Sequence, residues 1–176
     1  SSATTHIELD FNALKMFTQG STLYFPIYGG GMRIYDLTDP QAPVDRGKAD
    51  WYPDDMVFNS SLAYVLTAAR LYILDISTPW QPVQIAQATL RVSQEMLTLH
   101  NNRLYAYGGL YSGTYGCDVV DISTPAAPVV KEMIVHEPGF THIEGVGNAL
   151  LALDRHQQLF RIDVTDPDHP LKEPAP

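Results

Sequence analysis

The sequence predicts an all-β fold assembled from a repeated unit of four antiparallel strands. Three observations carry that prediction. A ten-residue block recurs four times along the chain. Each copy is preceded by short apolar runs separated by turn-forming residues. No stretch shows the 3.6-residue apolar period of an amphipathic helix.

The repeated block reads YDLTDPQAPV at 35–44, LDISTPWQPV at 74–83, VDISTPAAPV at 120–129 and IDVTDPDHPL at 162–171. Its pattern is apolar, Asp, apolar, Ser/Thr, any residue, Pro, two residues, Pro, apolar. The aspartates Asp36, Asp75, Asp121 and Asp163 stand 39, 46 and 42 residues apart. An Asp at a strand end accepts hydrogen bonds from backbone N–H groups two or three residues on. The Ser/Thr two places later adds to the same turn, and the first Pro presets φ. A turn device needed once per unit explains why these residues repeat, so the four aspartates are expected to be structural and not a ring of ligands.

Before each Asp lies a strand: MRIY, LYIL, CDVV and LFRI. Apolar residues occupy both alternation faces, as in Leu71, Tyr72, Ile73 and Leu74, which marks a strand buried on two sides. About a dozen residues earlier comes a second run (TLYFPI, LAYVL, RLYAY, ALLAL), and before that a third. The turns between them, Gln19-Gly20-Ser21, Asn59-Ser60-Ser61, Asn101-Asn102 and Gly147-Asn148, hold residues that tolerate positive φ. A fourth run follows the prolines, clearest in VQIAQATL and VVKEMIV. Strands A to D in each unit of roughly 40 residues are the signature of β-propeller blades. The whole chain, 1–176, is expected to form one propeller with blades near 10–50, 51–90, 91–136 and 137–176.

The blocks resemble the LVIVD repeat, in which Gly-Asn and a Tyr-rich strand precede Leu-x-Ile-Val-Asp-Ile-Ser-x-Pro-x-x-Pro-Val. GVGNALLALDRHQQLFRIDVTDPDHPL at 145–171 follows that pattern nearly end to end, and the resemblance spans nearly all of the chain. It implies a bacterial or archaeal β-propeller of the periplasm or cell surface, secreted from the cytoplasm. It implies no activity, because the shared positions are blade framework.

Composition narrows the function classes. Eleven Lys+Arg against 20 Asp+Glu give a net charge of −9, which disfavours a nucleic-acid surface. No apolar run approaches the ~20 residues of a membrane-spanning helix, so membrane insertion is not expected. Cys117 is the single cysteine, which excludes an internal disulfide; it falls in an apolar strand-C column with Met32, Leu71 and Leu159 and reads as a core thiol. No Gly-x-Ser-x-Gly elbow is present, and Gly29-Gly30-Gly31 opens a strand where phosphate cradling needs a helix. No catalytic set and no cofactor are expected.

Function in repeat proteins sits where the repeats differ. The B–C and D–A connections share one face of a propeller, and the double-proline C–D turns lie on the other. The third B–C loop, GGLYSGTYG at 108–116, is the longest and carries Tyr111 and Tyr115 on a Gly/Ser background suited to adaptable contact. Trp51, Tyr52 and Arg91 fall in D–A connections on the same face. These five residues are the candidate partner-binding set, for a protein or a carbohydrate; the competing role for the aromatics is packing between blades. His136, His142 and Glu144 are weak metal candidates, since their spacing matches no strong zinc motif. With Arg91 they also define the alternative reading, an enzyme with a polar site at the mouth of the central channel. A third reading makes the chain the blades of a larger structural surface protein.

Closure of the ring is open at this level. The last strand D, LKEPAP, is interrupted by Pro174 and Pro176. Residues 4–9 alternate as one strand and could complete blade 4 of the same chain or of a partner; further blades are the other route. A homodimer, or completion by further blades, is expected over a closed four-blade monomer.

Overall fold

The computed structural model describes residues 15–27, 30–110 and 113–173, without the side chains of residues 94 and 95. Residues 4–9, Tyr111, Pro174 and Pro176 lie outside the described residues. Sixteen strands form four antiparallel sheets, each pairing in simple sequence order, and no helix occurs among the described residues. Blade 1 contains β1 (Phe17–Gln19), β2 (Thr22–Ile27), β3 (Gly31–Asp36) and β4 (Val44–Ala49). Blade 2 contains β5 (Asp55–Asn59), β6 (Leu62–Thr67), β7 (Arg70–Asp75) and β8 (Val83–Thr89). Blade 3 contains β9 (Val92–His100), β10 (Arg103–Leu110), β11 (Tyr115–Asp121) and β12 (Val129–Val135). Blade 4 contains β13 (Phe140–Val146), β14 (Ala149–Asp154), β15 (Leu159–Asp163) and the short β16 (Leu171–Lys172).

The repeated block folds the same way four times. The backbone N–H groups of Thr38, Ser77, Ser123 and Thr165 donate to Oδ1 of Asp36, Asp75, Asp121 and Asp163 at 2.9, 2.8, 2.9 and 2.8 Å. The hydroxyls of Thr38 and Ser77 donate to the same carboxylate oxygens and not to backbone, which doubles the grip. One residue further, a β-turn closes from Ala42, Gln81, Ala127 and His169 N–H to the carbonyls of Asp39, Thr78, Thr124 and Asp166. The first proline of each block is the second residue of that turn, where φ near −65° is required. Leu37, Ile76, Ile122 and Val164 donate their N–H to Ser21, Ser61, Asn102 and Asn148, tying the block to the A–B turn of its blade. Those A–B turns place Gly20, Ser60, Asn101, Asn102 and Gly147 at φ between 47° and 61°, the left-handed region their side chains tolerate.

Charge follows from this geometry. Hydrogen bonds from the Thr38 side chain, then from Arg46 and the Thr38 backbone, hold Asp36 down at about 2. Thr165 lowers Asp163 and Ser77 lowers Asp75 in the same way. At Asp121 burial pushes upward, but the Ser123 hydrogen bonds and the nearby Arg103 and Lys131 charges outweigh it.

Three apolar cores join successive blades. Tyr24, Met32 and Ile34 meet Ala63, Val65, Leu74 and Ile76 between blades 1 and 2. Tyr64, Leu66, Leu71 and Ile73 meet Leu97, Leu104, Ala106, Val120 and Ile122 between blades 2 and 3. Tyr105, Tyr107, Cys117 and Val119 meet Leu150, Ala152, Phe160, Ile162 and Val164 between blades 3 and 4. Large residues of one blade thus face smaller strand-B residues of the next, the complementarity close packing needs. Burial drives the Cys117 thiol far above its ordinary range, consistent with a core residue.

Candidate functional site

The D–A and B–C connections gather on one face, and the structure disperses Trp51, Tyr52, Arg91 and Tyr115 across it. Trp51 is half-buried against the core shared by blades 1 and 2, so much of its ring supports that junction. Tyr52, next along the chain, turns the other way. With Pro26, Pro53, Lys15 and Asp54 it lines a cleft of about 170 Å³. Pro26 is the penultimate residue of strand B of blade 1, Lys15 precedes its strand A, and residues 52–54 connect blade 1 to blade 2. The Lys15 ammonium donates to the Asp54 carbonyl at 2.7 Å and stands 3.9 Å from the Asp55 carboxylate. Burial raises the pKa of Asp55, opposed by the Leu97 N–H and by the Lys15 charge. The cleft therefore pairs apolar walls with one cation at the rim.

Arg91 is held in place. Its Nε donates to Asp118 Oδ1 at 2.6 Å and its terminal nitrogen to the Lys131 carbonyl at 2.5 Å. The fully buried Asp118 also accepts the backbone N–H groups of Arg91 and Val92, both on Oδ2, at 2.6 and 3.1 Å. This cluster fixes the turn from blade 2 into blade 3.

Tyr115 opens β11 beside the connection that enters blade 4. Arg155, from the B–C loop of blade 4, lies over the Tyr115 ring with its guanidinium carbon 4.4 Å from the centroid. The ring lies so close to Gly139 that a Cβ there would sit 2.5 Å from it. Gly139 has φ +91°, so both the backbone and the space require glycine. The Tyr115 N–H donates to the Glu137 carboxylate at 3.1 Å. Tyr115 is thus both an inter-blade contact and part of a cation–π pair on the face, while Tyr111 lies outside the described residues.

His136 and His142 follow separate paths. His136 is buried and stacks on Phe140 with ring centroids 4.5 Å apart. Lys172 Nζ donates to His136 Nδ1 at 2.6 Å, which makes Nδ1 the acceptor and places the proton on Nε2, facing Asp154 at 3.4 Å. Burial, then the Lys172 charge, lowers the His136 pKa and keeps the ring neutral. Asp154 in turn accepts the N–H groups of His156 and Gln158, shaping the B–C loop of blade 4. His142 is exposed and 3.9 Å from Glu144. His136, His142, Glu144 and Arg91 each keep their own partners, and no group of three or more His, Cys, Asp or Glu side chains gathers as a metal site among the described residues.

Lys15, Pro26, Pro53, Arg155 and Lys172 were not singled out from sequence. Nothing local in the sequence shows that the Arg155 guanidinium reaches across to another blade.

Sheet order, repeated turn chemistry and inter-blade cores define the chain as a β-propeller whose described part is an arc of four four-stranded blades. The family model described as the LVIVD repeat matches residues 112–135. No curated protein sequence matches the chain. Among solved structures, the computationally designed Ika8 protein superposes with a TM-score of 0.61 at 12% identity, over 86% of this chain and 46% of that one. The designed Ika4 protein superposes with a TM-score of 0.60 at 13% identity, over 88% of this chain and 92% of that one. The chain therefore spans a little under half of the first protein, and at these identities the likeness concerns the fold alone.

Proposed function

We propose that this protein is a non-enzymatic binding module that grips a protein or carbohydrate partner through the face formed by the B–C and D–A connections. The observation that carries the reading is the Tyr52 cleft. An aromatic ring, two prolines and the Lys15 ammonium border a concavity of about 170 Å³ at the junction of two rigid blades. Aromatic and proline walls offer flat apolar area at little entropic cost, and a rim cation adds direction. On the same face the Tyr115–Arg155 pair provides a second contact zone. The other polar groups of the face are engaged internally: Arg91 with Asp118, and His136 between Asp154 and Lys172. That arrangement favours a rigid recognition surface over a reactive centre. In the same reading the protein works outside the cytoplasm, which rests on the LVIVD resemblance.

The test is a screen of the purified protein on an oligosaccharide array and on a peptide array, followed by titration calorimetry of the strongest hit. The expected result is saturable binding that weakens about tenfold, or 1.4 kcal/mol, in Tyr52→Ala while the melting temperature is unchanged. Binding indifferent to Tyr52, or no binder in either chemical class, would overturn the proposal.

A further inference from the structure

Three of the four turn aspartates of the repeated block hold an arginine of their own blade. Arg46 donates to Asp36 Oδ2 at 2.6 Å, Arg103 to Asp121 Oδ1 at 2.8 Å and Arg161 to Asp163 Oδ2 at 3.4 Å. Asp75 keeps the turn contacts, its Oδ1 accepting both the N–H and the hydroxyl of Ser77. Among the described residues no Lys, Arg or His pairs with it, and its Oδ2 stands outside the turn.

The difference comes down to one residue of strand D. Arg46 is the extra residue of a β-bulge, between the pairs Tyr35–Asp45 and Ile34–Gly47. Ile85 is the extra residue of the same bulge in blade 2, between Leu74–Gln84 and Ile73–Ala86. A bulge re-aims the side chain it carries. In blade 1 it delivers a guanidinium to Asp36; in blade 2 it carries an isoleucine, 39% exposed.

Beside Asp75 lies a cleft of about 140 Å³, lined by Asp75, Ser77, Thr78, Gln81 and Val83. It is smaller than the roughly 300 Å³ of pockets that enclose a whole small molecule, and it suits the head of one side chain. Its lining fits a guanidinium: the Asp75 carboxylate supplies charge, the Gln81 amide a second acceptor, and Val83 apolar surface for the methylenes. Trp80, in the same turn and 40% exposed, extends the apolar surface. The net charge of −9 draws a basic partner toward it.

We propose that this cleft receives an arginine side chain of a protein partner, which takes at Asp75 the place that Arg46 takes at Asp36. The site lies among the double-proline turns, away from the Tyr52 cleft, and is independent of the binding reading above.

Titration of the Ser77, Thr78 and Gln81 amide chemical shifts with acetyl-Ala-Arg-Ala-amide tests it, in about 150 mM salt to screen general attraction to an acidic chain. Saturable binding in the millimolar range is expected, because an exposed ion pair contributes little alone. The same peptide with lysine or citrulline in place of arginine should bind at least about fivefold more weakly, since neither offers a charged planar fork. Ile85→Arg rebuilds the blade 1 arrangement and should abolish binding with an undiminished melting temperature. Asp75→Asn keeps an oxygen for the Ser77 N–H, loses the charge, and should weaken binding at least about tenfold. No saturation with the wild-type chain, equal binding of the three peptides, or wild-type affinity in either variant would overturn the proposal.

Discussion

Replacing Asp118 probes how one buried carboxylate fixes the passage between blades. Its side chain is fully buried and accepts three hydrogen bonds: two backbone N–H groups on Oδ2, at 2.6 and 3.1 Å, and Arg91 Nε on Oδ1 at 2.6 Å. Asp118→Ala strands two backbone donors in a dry site, each costing about 1–3 kcal/mol. The Arg91 side chain is 47% exposed and can rehydrate, so losing its bond adds little. The sum is a loss of about 2–6 kcal/mol, bracketing the cost of removing one partner of a buried pair. Asp118→Asn keeps an oxygen for both backbone donors but turns a buried amide NH2 toward the Arg91 donor, for a loss of about 1–2 kcal/mol. Equilibrium urea unfolding of the three proteins measures both values at constant slope. Equal losses in the two variants, or a loss below about 1 kcal/mol in Asp118→Ala, would refute the assignment of the backbone N–H groups as the main cost.

Other outcomes follow from the same packing and charges. Leu150→Ala removes a fully buried side chain from the core between blades 3 and 4 and should cost about 2–5 kcal/mol. Its neighbour Leu151→Ala, at a side chain 38% exposed, should cost under about 1 kcal/mol by the same urea assay. Because the folded pKa of His136 lies below the ordinary 6.5, the unfolded chain binds the proton more readily. That contribution is fully present above pH 6.5 and is lost as pH falls toward the folded value; His136→Phe should flatten the slope of stability below pH 6.5. At lower pH the turn carboxylates take over. Asp36 falls from 3.8 unfolded to about 2 folded, so its stabilisation is present above pH 4 and lost as pH drops toward 2, an acid transition that Asp36→Asn should reduce.

What was legible in the sequence is what is local. Asp121 and Ser123 are two residues apart, and their hydrogen bond follows from that spacing and from the chemistry of the pair. Four recurrences of such a block specify four blades, and the apolar runs between them specify the strands. The site is different because its contacts cross blades. Arg91 finds Asp118 27 residues away, and His136 finds Asp154 and Lys172 18 and 36 residues away. No local pattern distinguishes an arginine aimed at solvent from one aimed at a carboxylate in the next blade. Trp51 and Tyr52 illustrate the same limit, being adjacent aromatics of which one packs on a core and the other lines a cleft. The exposed Leu151, Leu153 and Leu159 of blade 4 were equally hidden. In sequence they look like the buried columns of blades 1 to 3, and only the arrangement of blades shows that nothing among the described residues covers them.

The claim that the face of the B–C and D–A connections grips the partner is tested most directly by comparing the two faces in one binding experiment. The double-proline side holds its own cleft of about 140 Å³, lined by Asp75, Ser77, Thr78, Gln81 and Val83, which serves as an internal control. Titration of a partner found on the arrays against Tyr52→Ala, Lys15→Ala and Gln81→Ala separates the alternatives. About a tenfold loss of affinity in the first two and none in Gln81→Ala is the predicted result. A loss confined to Gln81→Ala, or none in any of the three, would contradict it.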